Sequence, residues 1–384
     1  MFWSGVQLLD QAQQVTMMIT VEGVLAALRP VQDPELGRDL VSLNMITGVE
    51  IREDTVRVTV NLTTPACPLQ TDIEQQCRQA LLSLPGVNQV EVRFSATVTA
   101  ATFPNQQNLL ADVKNILAVG SVKGGVGKTT VAVNLAVALR MTGAKVGLLD
   151  ADVYGPDVPF MMGDRSAPKV AEHRLTPLER HGVRFISLDS LIPEDAPVIW
   201  RGPMIHTTLR QLFRDVAWGP LDYLVVDLPP GTGDAALSLT QLVPLAGVVL
   251  VTTPQRASVH VVVKALSMFK NAGVPILGIV ENMSYFICPR CGTRTDIFAH
   301  GGGEQAAVNL EVPFLGNIPL DSLLRIGGDR GEPIVINEPA SPLAAAFRGM
   351  AAKVAARISV LNAQPALAGS SPTASVLTRA QRIV

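Results

Sequence analysis

The residues best suited to chemistry lie in one short run, Lys123-Gly-Gly-Val-Gly-Lys-Thr-Thr130. An apolar segment precedes this run and a helical pattern follows it, which predicts a strand, a loop and a helix in that order. Glycines let the backbone wrap closely around a phosphate chain, and a helix N-terminus offers unpaired N–H groups to it. We expect Lys128 to reach the β- and γ-phosphates of a nucleotide and the Thr129 hydroxyl to bind Mg²⁺. The other loop residues expected to bind the nucleotide are Gly124, Gly125, Val126, Gly127 and Thr130.

Three aspartates stand at the ends of two predicted strands. Asp150 and Asp152 follow one strand, and Asp227 ends another. A carboxylate just past a strand end faces the same crevice as the phosphate loop, and residues at i and i+2 share one side of an extended chain. We expect Asp227 to hold Mg²⁺ through water, and Gly231 and Gly233 to let the next loop move when the γ-phosphate leaves. For Asp152, the alternative to a role in this site is a simple acidic turn at the end of the strand.

Cys288 and Cys291 form a Cys-Pro-Arg-Cys-Gly turn between short strand-like runs, which suggests a metal knuckle. A thioredoxin-type redox pair would need the first cysteine to open a helix, and Pro289 and Gly292 argue against that. A zinc site needs four ligands, of which His300 is a candidate third. A [4Fe–4S] cluster takes four thiolates, so two copies of the chain meeting at a two-fold axis would complete the set.

The run from Lys123 to Thr130 resembles the phosphate loop of the MinD/ParA/nitrogenase-iron-protein/Mrp class of ATPases. It departs from the standard G-x-x-x-x-G-K-[ST] pattern at Val122, which takes the place of the first glycine. The resemblance implies that Lys123 reaches across a dimer interface to the partner's nucleotide; a solvated loop lysine is the alternative. It also implies that Asp150 belongs to the Mg²⁺ shell and that Asp152 orients the attacking water.

Three further segments resemble the Mrp/ApbC branch of this class: Asp150-Ala-Asp-Val-Tyr-Gly-Pro156, Asp227-Leu-Pro-Pro-Gly-Thr-Gly-Asp234 and Val280-Glu-Asn-Met-Ser284. By this resemblance Asn282 contacts the adenine of ATP, whereas a turn cap after a strand is the alternative. Members of the branch are carriers or scaffolds of iron–sulfur clusters bridged between two subunits. That property matches the two thiolates that one chain supplies.

The N-terminal part resembles the small domain shared by SufT-like assembly factors, through Asp33-Pro-Glu35 and Thr64-Pro-Ala-Cys-Pro68. This resemblance assigns the functional cysteine of that family to Cys67. A structural thiol is the alternative. Cys77 lies on a predicted helix, where we expect it to be buried packing.

Composition limits the classes of partner. The 384 residues include 48% hydrophobic and 17% charged side chains, with a net charge of −2, which indicates a packed globular protein. Without a basic excess or many aromatic side chains, nucleic acid is not expected as a partner. No apolar run approaches the ~18 residues of a membrane span, and no secretory signal is recognisable. We expect a soluble cytoplasmic protein that binds no membrane.

The elements that position these residues are predicted to form two domains. Residues 1–17 are predicted to be an extension, 18–95 a small α/β domain, 96–112 a linker, 113–361 the ATPase domain and 362–384 a disordered tail. In the ATPase domain continuous apolar strands alternate with helices, which is typical of strands covered on both faces. The pattern predicts a doubly wound, mostly parallel α/β sheet of the P-loop NTPase type, with the nucleotide at the carboxyl ends of its strands.

Taken with the resemblance, these features predict a homodimeric enzyme that hydrolyses ATP and carries a [4Fe–4S] cluster from a donor scaffold to recipient apoproteins. Lys123, Lys128 and Asp152 are the expected catalytic residues. Two alternatives stay open. One is a MinD/ParA-like positioning switch that binds membrane or DNA, and the other is a zinc-knuckle ATPase without cluster transfer.

Overall fold

The computed structural model describes residues 19–101, 109–188, 202–231 and 234–363. The expected extension, part of the expected linker and nearly all of the expected tail therefore lie outside the described residues. The described chain divides into two compact units. The smaller unit comprises residues up to 62 together with 69–96, and the larger unit comprises 63–68 together with residues from 97 onward.

The smaller unit contains a three-stranded sheet, a separate pair of short strands and two helices. Alternate residues of its central strand are buried, because one face of the sheet packs against the helices. The outer strands pair with the central one, one antiparallel and one parallel. The elements are α1 (Val21–Leu28), β1 (Gln32–Asp33), β2 (Arg38–Asp39), β3 (Ile46–Arg52), β4 (Thr55–Leu62), α2 (Gln70–Leu82) and β5 (Gln89–Ala96).

The larger unit alternates strands and helices. Its first half contains β6 (Val113–Gly120), α3 (Lys128–Met141), β7 (Val146–Asp150), α4 (Val158–Met162), β8 (Lys169–Ala171), β9 (Arg174–Thr176), β10 (Leu178–Arg180), β11 (Val183–Ser187), α5 (Gly202–Asp215) and β12 (Leu221–Asp227). Its second half contains α6 (Asp234–Leu242), β13 (Gly247–Thr252), α7 (Arg256–Asn271), β14 (Ile276–Ile287), β15 (Arg294–Thr295), α8 (Gly302–Asn309), β16 (Phe314–Leu320), α9 (Ser322–Arg330), α10 (Ile334–Asn337) and α11 (Pro342–Ala363).

Nine of these strands form one sheet in the order β10-β11-β7-β12-β6-β13-β14-β15, with β16 paired to β14. All neighbours are parallel except at β10 and β15. Because the central strands run parallel, the phosphate loop after β6 and the ends of β7 and β12 meet at one edge. The predicted doubly wound α/β fold with a small N-terminal α/β unit is confirmed.

Helices cover both faces of the large sheet. Along β6, Leu117 and Val119 join the core beneath α3 and α11, while Ile116 and Ala118 join the core beneath α5, α6 and α7. Each strand therefore supplies side chains to two cores, which explains its continuous apolar sequence.

The structure differs from the sequence prediction at several boundaries. The apolar runs in the sequence predict strands at 276–281 and 314–316, but β14 continues to Ile287 and β16 continues to Leu320. The sequence prediction also missed α4, α8, α9 and α10, together with the short strands β8, β9 and β10. These elements span three to nine residues, too few for a clear periodic pattern.

Candidate functional site

The phosphate loop joins the end of β6 to the start of α3. Gly125 and Gly127 adopt positive φ angles of 76° and 78°, a conformation that side chains with a Cβ disfavour. A Cβ at Gly127 would also overlap Nδ2 of Asn282. The chain turns from strand to helix here because glycine occupies these positions, and the first amides of α3 point out of the turn.

Lys128, the first residue of α3, lies buried among carboxylates. Its Nζ is 2.6 Å from Oδ1 of Asp227 and 3.4 Å from Oδ2 of Asp152. The neighbouring Thr129 donates its hydroxyl proton to Oδ2 of Asp227 over 2.7 Å. The structure thus brings the predicted Lys128, Thr129, Asp152 and Asp227 together at one point.

Asp150 lies beside this group and is fully buried. It is paired in register with Asp227 on the neighbouring strand, and its carboxylate accepts hydrogen bonds from the amides of Asp152 and Val158 and from the Ser187 hydroxyl. Burial and the nearby Asp227 charge raise the pKa of Asp150 well above its usual value. Burial also raises the pKa of Asp227, although Lys128 opposes that shift.

This donor set fits Mg²⁺. The Thr129 hydroxyl and the carboxylates of Asp150 and Asp227 are oxygen ligands, which that hard cation prefers. Burial is the main cause that raises the pKa of both carboxylates. A cation bound beside them would favour their charged forms.

A cavity of about 370 Å³ adjoins the phosphate loop. Asn282, which is 3% exposed, lines it and donates from Nδ2 to the Val126 carbonyl over 2.8 Å. Its Oδ1 has no hydrogen-bond partner among the described residues. An acceptor is therefore available for a ligand in this cavity. The walls comprise Gly127, Thr130, Asp157, Phe160, Met161, Asn282, Met283, Pro319, Leu320, Asp321, Leu324, Arg325, Gly328 and Asp329.

Lys123 lies at the exposed end of the loop. Its carbonyl accepts a hydrogen bond from the Ser121 hydroxyl over 3.0 Å, and its side chain is half-buried. Within the described residues its ammonium forms no ion pair, in contrast to Lys128. Gly124 and Gly125 beside it are exposed, so this part of the loop is open to solvent.

Cys288 and Cys291 occupy the turn of a hairpin made by β14 and β15. The Cys288 amide donates to the Thr293 carbonyl and the Gly292 amide donates to the Cys288 carbonyl, which closes a tight turn. Cys291 is exposed and Cys288 is half-buried. Hydrogen bonding to the Thr293 hydroxyl and amide, and then to Cys288, lowers the pKa of Cys291 below its usual value. The deprotonated form of Cys291 is therefore favoured at an exposed position.

The turn geometry bears on the alternatives for the cysteine pair. Cys288 follows a strand and does not open a helix, which the thioredoxin-type arrangement requires. Nδ1 of His300 is 2.7 Å from the Ser284 hydroxyl and so is already engaged. The described residues contain no group of three or more His, Cys, Asp or Glu side chains arranged to hold a metal ion.

The two other cysteines lie away from this hairpin in the chain. Cys77 is buried in α2, and burial raises its pKa to about 11, in agreement with the expected packing role. Cys67 is half-buried in the segment 63–68, which belongs to the larger unit.

Sequence reasoning missed a buried polar group next to Asn282. Glu281 is fully buried and bonds to Ser284 and to the amides of Gly301 and Gly303. A signal was present, because a glutamate that ends an apolar strand run at 276–280 is unusual in a buried strand.

Within the described ranges, every helix is too short or too polar to span a bilayer.

Comparison with known proteins agrees with this geometry. The model of the NUBPL iron-transfer P-loop NTPase family matches residues 112–355, and the model of an iron–sulfur cluster assembly protein family matches residues 22–94. The "Iron-sulfur cluster carrier protein" of Synechocystis sp. is 52% identical over 350 residues, covering 89% of this chain and 99% of that protein. The Escherichia coli protein of the same name is 39% identical over 337 residues, covering 87% and 91%.

A solved structure is also similar to this chain. The nucleotide-binding protein of Archaeoglobus fulgidus, in complex with ADP, is 40% identical and superposes with a TM-score of 0.53 over 60% of this chain and 90% of that one. With the phosphate loop, the buried aspartates and the cysteine hairpin in place, the match extends across both units of the chain. The chain therefore belongs to the iron–sulfur cluster carrier family of P-loop NTPases.

Proposed function

We propose that the chain hydrolyses ATP and carries a [4Fe–4S] cluster, bridged between two copies, from a donor scaffold to recipient apoproteins. The observation that carries this proposal is the exposed Cys288–Cys291 hairpin in the same unit as the phosphate loop. One hairpin offers two thiolates and a [4Fe–4S] cluster takes four. A second copy related by a two-fold axis supplies the other two.

Within this proposal the phosphate loop binds the triphosphate through backbone amides and Lys128. Lys128 exchanges its contacts with Asp227 and Asp152 for the β- and γ-phosphates. Thr129, Asp150 and Asp227 would hold Mg²⁺, which neutralises phosphate charge when bound. Lys123, whose ammonium forms no ion pair within the described residues, reaches the nucleotide of the partner subunit.

Asp152 orients the attacking water. Its Oδ1 accepts hydrogen bonds from the amides of Tyr154 and Gly155 at 3.1 and 3.3 Å, while Oδ2 lies 3.4 Å from Lys128 Nζ. One carboxylate oxygen is thus fixed by the backbone. The other faces the ammonium that would contact the γ-phosphate, so it can accept a hydrogen bond from water in line with the breaking bond.

The cavity beside the loop takes the adenine. Asn282 Oδ1 is a buried acceptor with no partner in the described chain, and the exocyclic amino group of adenine is a donor. The Archaeoglobus fulgidus relative was solved in complex with ADP, which supports nucleotide binding by this chain.

Anaerobic reconstitution with iron and sulfide tests the cargo. We expect visible absorption typical of a [4Fe–4S] cluster and about four irons for every two chains. Cys288→Ser and Cys291→Ser should each abolish that absorption, whereas Cys67→Ser should keep it. Absence of iron uptake, or stoichiometric zinc in its place, would overturn the proposal.

The role of hydrolysis is tested with Lys128→Ala. We expect this variant to load a cluster but to fail in delivering it to an apo-acceptor, since the lysine acts on phosphate and not on the thiolates. Lys114→Ala is the matched control, because Lys114 forms a surface ion pair with Asp222 at 2.8 Å. Intact delivery by Lys128→Ala would show that hydrolysis is dispensable.

A further inference from the structure

Glu281 is a carboxylate buried inside the large sheet. It accepts hydrogen bonds from the amides of Gly301 and Gly303 over 2.9 and 2.5 Å, and from the Ser284 hydroxyl over 2.6 Å. In the described chain no lysine or arginine forms an ion pair with it. The first amides of α8 therefore stabilise the carboxylate, which ties β14 to the start of that helix.

The backbone of β14 is strained next to this carboxylate. Met283 has φ of 54°, an uncommon conformation for a residue with a side chain, and the pairing of β14 with β16 shifts register between Asn282 and Phe286. The usual alternation of side chains is broken here. Asn282 and Met283 both line the nucleotide cavity, while Glu281 and Ser284 contact each other. A strained residue of this kind often marks a functional site.

Ser284 extends the contacts toward the cysteine hairpin. Its hydroxyl lies 2.7 Å from Nδ1 of His300 and 3.0 Å from Oδ1 of Asn317. The His300 ring packs edge-on against Tyr285, with ring centroids 6.0 Å apart. Arg294 places its guanidinium 4.4 Å from the centroid of the Tyr285 ring.

Arg294 belongs to the hairpin that carries the cysteines. It pairs with Ile287, the residue directly before Cys288, and Thr293 beside it bonds to the Cys288 amide. Contacts therefore run without a gap from the nucleotide cavity at Asn282 to the Cys288–Cys291 turn. Every step lies within the larger unit.

We propose that Glu281, Ser284 and His300 form a coupling joint, through which nucleotide bound at Asn282 changes the geometry of the Cys288–Cys291 turn. This inference rests on the nucleotide and cysteine sites of the proposed function. The three side chains are positioning residues and touch neither nucleotide nor cluster. In this proposal the strained backbone at Met283 is the segment that changes conformation. A ligand that bonds to the Asn282 side chain acts on the adjacent Met283 peptide and so shifts the balance between its two conformations.

The cysteine hairpin and the proposed nucleotide site share one strand, so a shift of that strand can be passed from one site to the other. Five residues lie between Asn282 and Cys288, and β14 continues through all of them to Ile287. A shift of the strand at Met283 displaces the hairpin, provided that Glu281 and His300 keep the C-terminal end of the 288–300 segment attached to β14. Without the joint, the same shift would be absorbed by the loop.

The test measures the alkylation rates of Cys288 and Cys291 in the iron-free full chain, resolved by mass spectrometry of peptides. Rates are compared without nucleotide and with a non-hydrolysable ATP analogue and Mg²⁺. In the wild type we expect the nucleotide to change the rate about fivefold or more, the lower range of allosteric coupling. Ser284→Ala and His300→Phe should reduce this ratio to about one while the analogue still binds, as checked by direct titration.

Two controls separate coupling from general damage. Ser359→Ala removes an equally buried hydroxyl, bonded to the Ala355 and Thr63 carbonyls, and should keep the wild-type ratio. Ser284→Thr keeps the hydroxyl and should restore the ratio. A wild-type rate that ignores nucleotide, or a Ser284→Ala ratio equal to wild type, would overturn the inference. Because the assay contains no iron, a failure of cluster binding would be seen separately and would count only against the proposed cargo.

Discussion

At the scale of single residues, Asn282 joins the phosphate loop to the cavity beside it. Its Nδ2 bonds to the Val126 carbonyl, which fixes the amide orientation and leaves Oδ1 buried without a hydrogen-bond partner among the described residues. A buried acceptor without a partner is costly, so a ligand with a donor at this position gains affinity over one without it.

The proposed contact between Asn282 and the adenine can be tested by comparing nucleotides that carry different bases. Inosine triphosphate differs from ATP at the purine 6-position, where a carbonyl acceptor replaces the amino donor. We expect the wild type to bind ATP about tenfold more tightly than inosine triphosphate, which corresponds to one buried hydrogen bond. Asn282→Ala should bind both equally, as measured by competition titration. If Asn282→Ala kept the preference, adenine recognition would have to come from another residue.

Asp150 is a second residue whose environment has a measurable consequence. Its folded-state pKa is raised by burial and by Asp227, so the native protein holds the Asp150 proton more tightly than the unfolded chain does. Stability without nucleotide should therefore fall as pH rises from the ordinary aspartate pKa through the raised value. Each tenfold difference in proton affinity corresponds to about 1.4 kcal/mol.

Asp150→Asn removes this titration. The amide also loses the bond from the Val158 amide, a cost that does not depend on pH. The informative quantity is thus the slope, and we expect the melting temperature of the variant to fall less between pH 5 and 8 than that of the wild type, by a few degrees in all. Parallel slopes would mean that Asp150 titrates normally in the native state.

Several of these residues could be predicted from sequence, because they either lie next to each other in the chain or end strands of a regular parallel sheet. Lys128 and Thr129 follow the glycines directly, and Asp150 and Asp227 end strands that meet at one sheet edge. Glu281 and His300 could not be predicted as a group. Their meeting depends on the broken alternation at Met283, and a sequence pattern assumes regular strands.

At the scale of elements, two short helices line the cavity beside the phosphate loop, and their C-terminal ends approach each other closely at two glycines. Gly163 ends α4 and Gly331 ends α9, both with positive φ. A Cβ at Gly331 would overlap the backbone of Gly163. The His181 ring nitrogen also bonds to the Gly331 carbonyl at 3.0 Å. Close approach of the two helix ends therefore sets the spacing of the cavity walls.

Gly331→Ala should weaken both stability and nucleotide binding. The variant combines an unfavourable positive φ with overlap against Gly163, and we expect a loss of at least about 2 kcal/mol in unfolding free energy. Gly349→Ala is the matched control, since Gly349 lies inside α11 with open space around it. That change should stabilise by about 0.5–1 kcal/mol. Urea unfolding and nucleotide titration measure both, and equal effects of the two variants would contradict the role of the glycine contact.

The elements that the sequence did not predict have a common physical property. α4 and α10 are only five and four residues long, and both take much of their stability from packing on longer neighbours. The extension of β14 beyond residue 281 follows from pairing with β15 and β16 rather than from its own composition. Long, buried elements such as α3 and β12 were predictable because most of their residues are apolar.

At the scale of the whole molecule, the chain leaves one unit and returns to it. Residues 63–68 lie between β4 and α2 in sequence but belong to the larger unit, where Ala66 joins the core. The Thr64 hydroxyl is 3.3 Å from the Tyr223 hydroxyl, and Ser359 donates to the Thr63 carbonyl. Burial raises the pKa of Tyr223 to about 12, so its phenol stays protonated and can donate to Thr64.

A double-mutant cycle measures how firmly this segment is held. Tyr223→Phe and Thr64→Val each remove one partner of a buried hydrogen bond, and each should cost about 1 kcal/mol or more of unfolding free energy. Once one partner is gone, removing the other costs less, so the double variant should lose about 1 kcal/mol less than the sum of the two. Urea unfolding followed by fluorescence of Trp218, which is buried in the larger unit, gives the three values if Trp3 and Trp200 are replaced by phenylalanine. Strict additivity would show that Tyr223 and Thr64 act independently, and the segment would then be held by other contacts, such as those of Ala66 and Ser359.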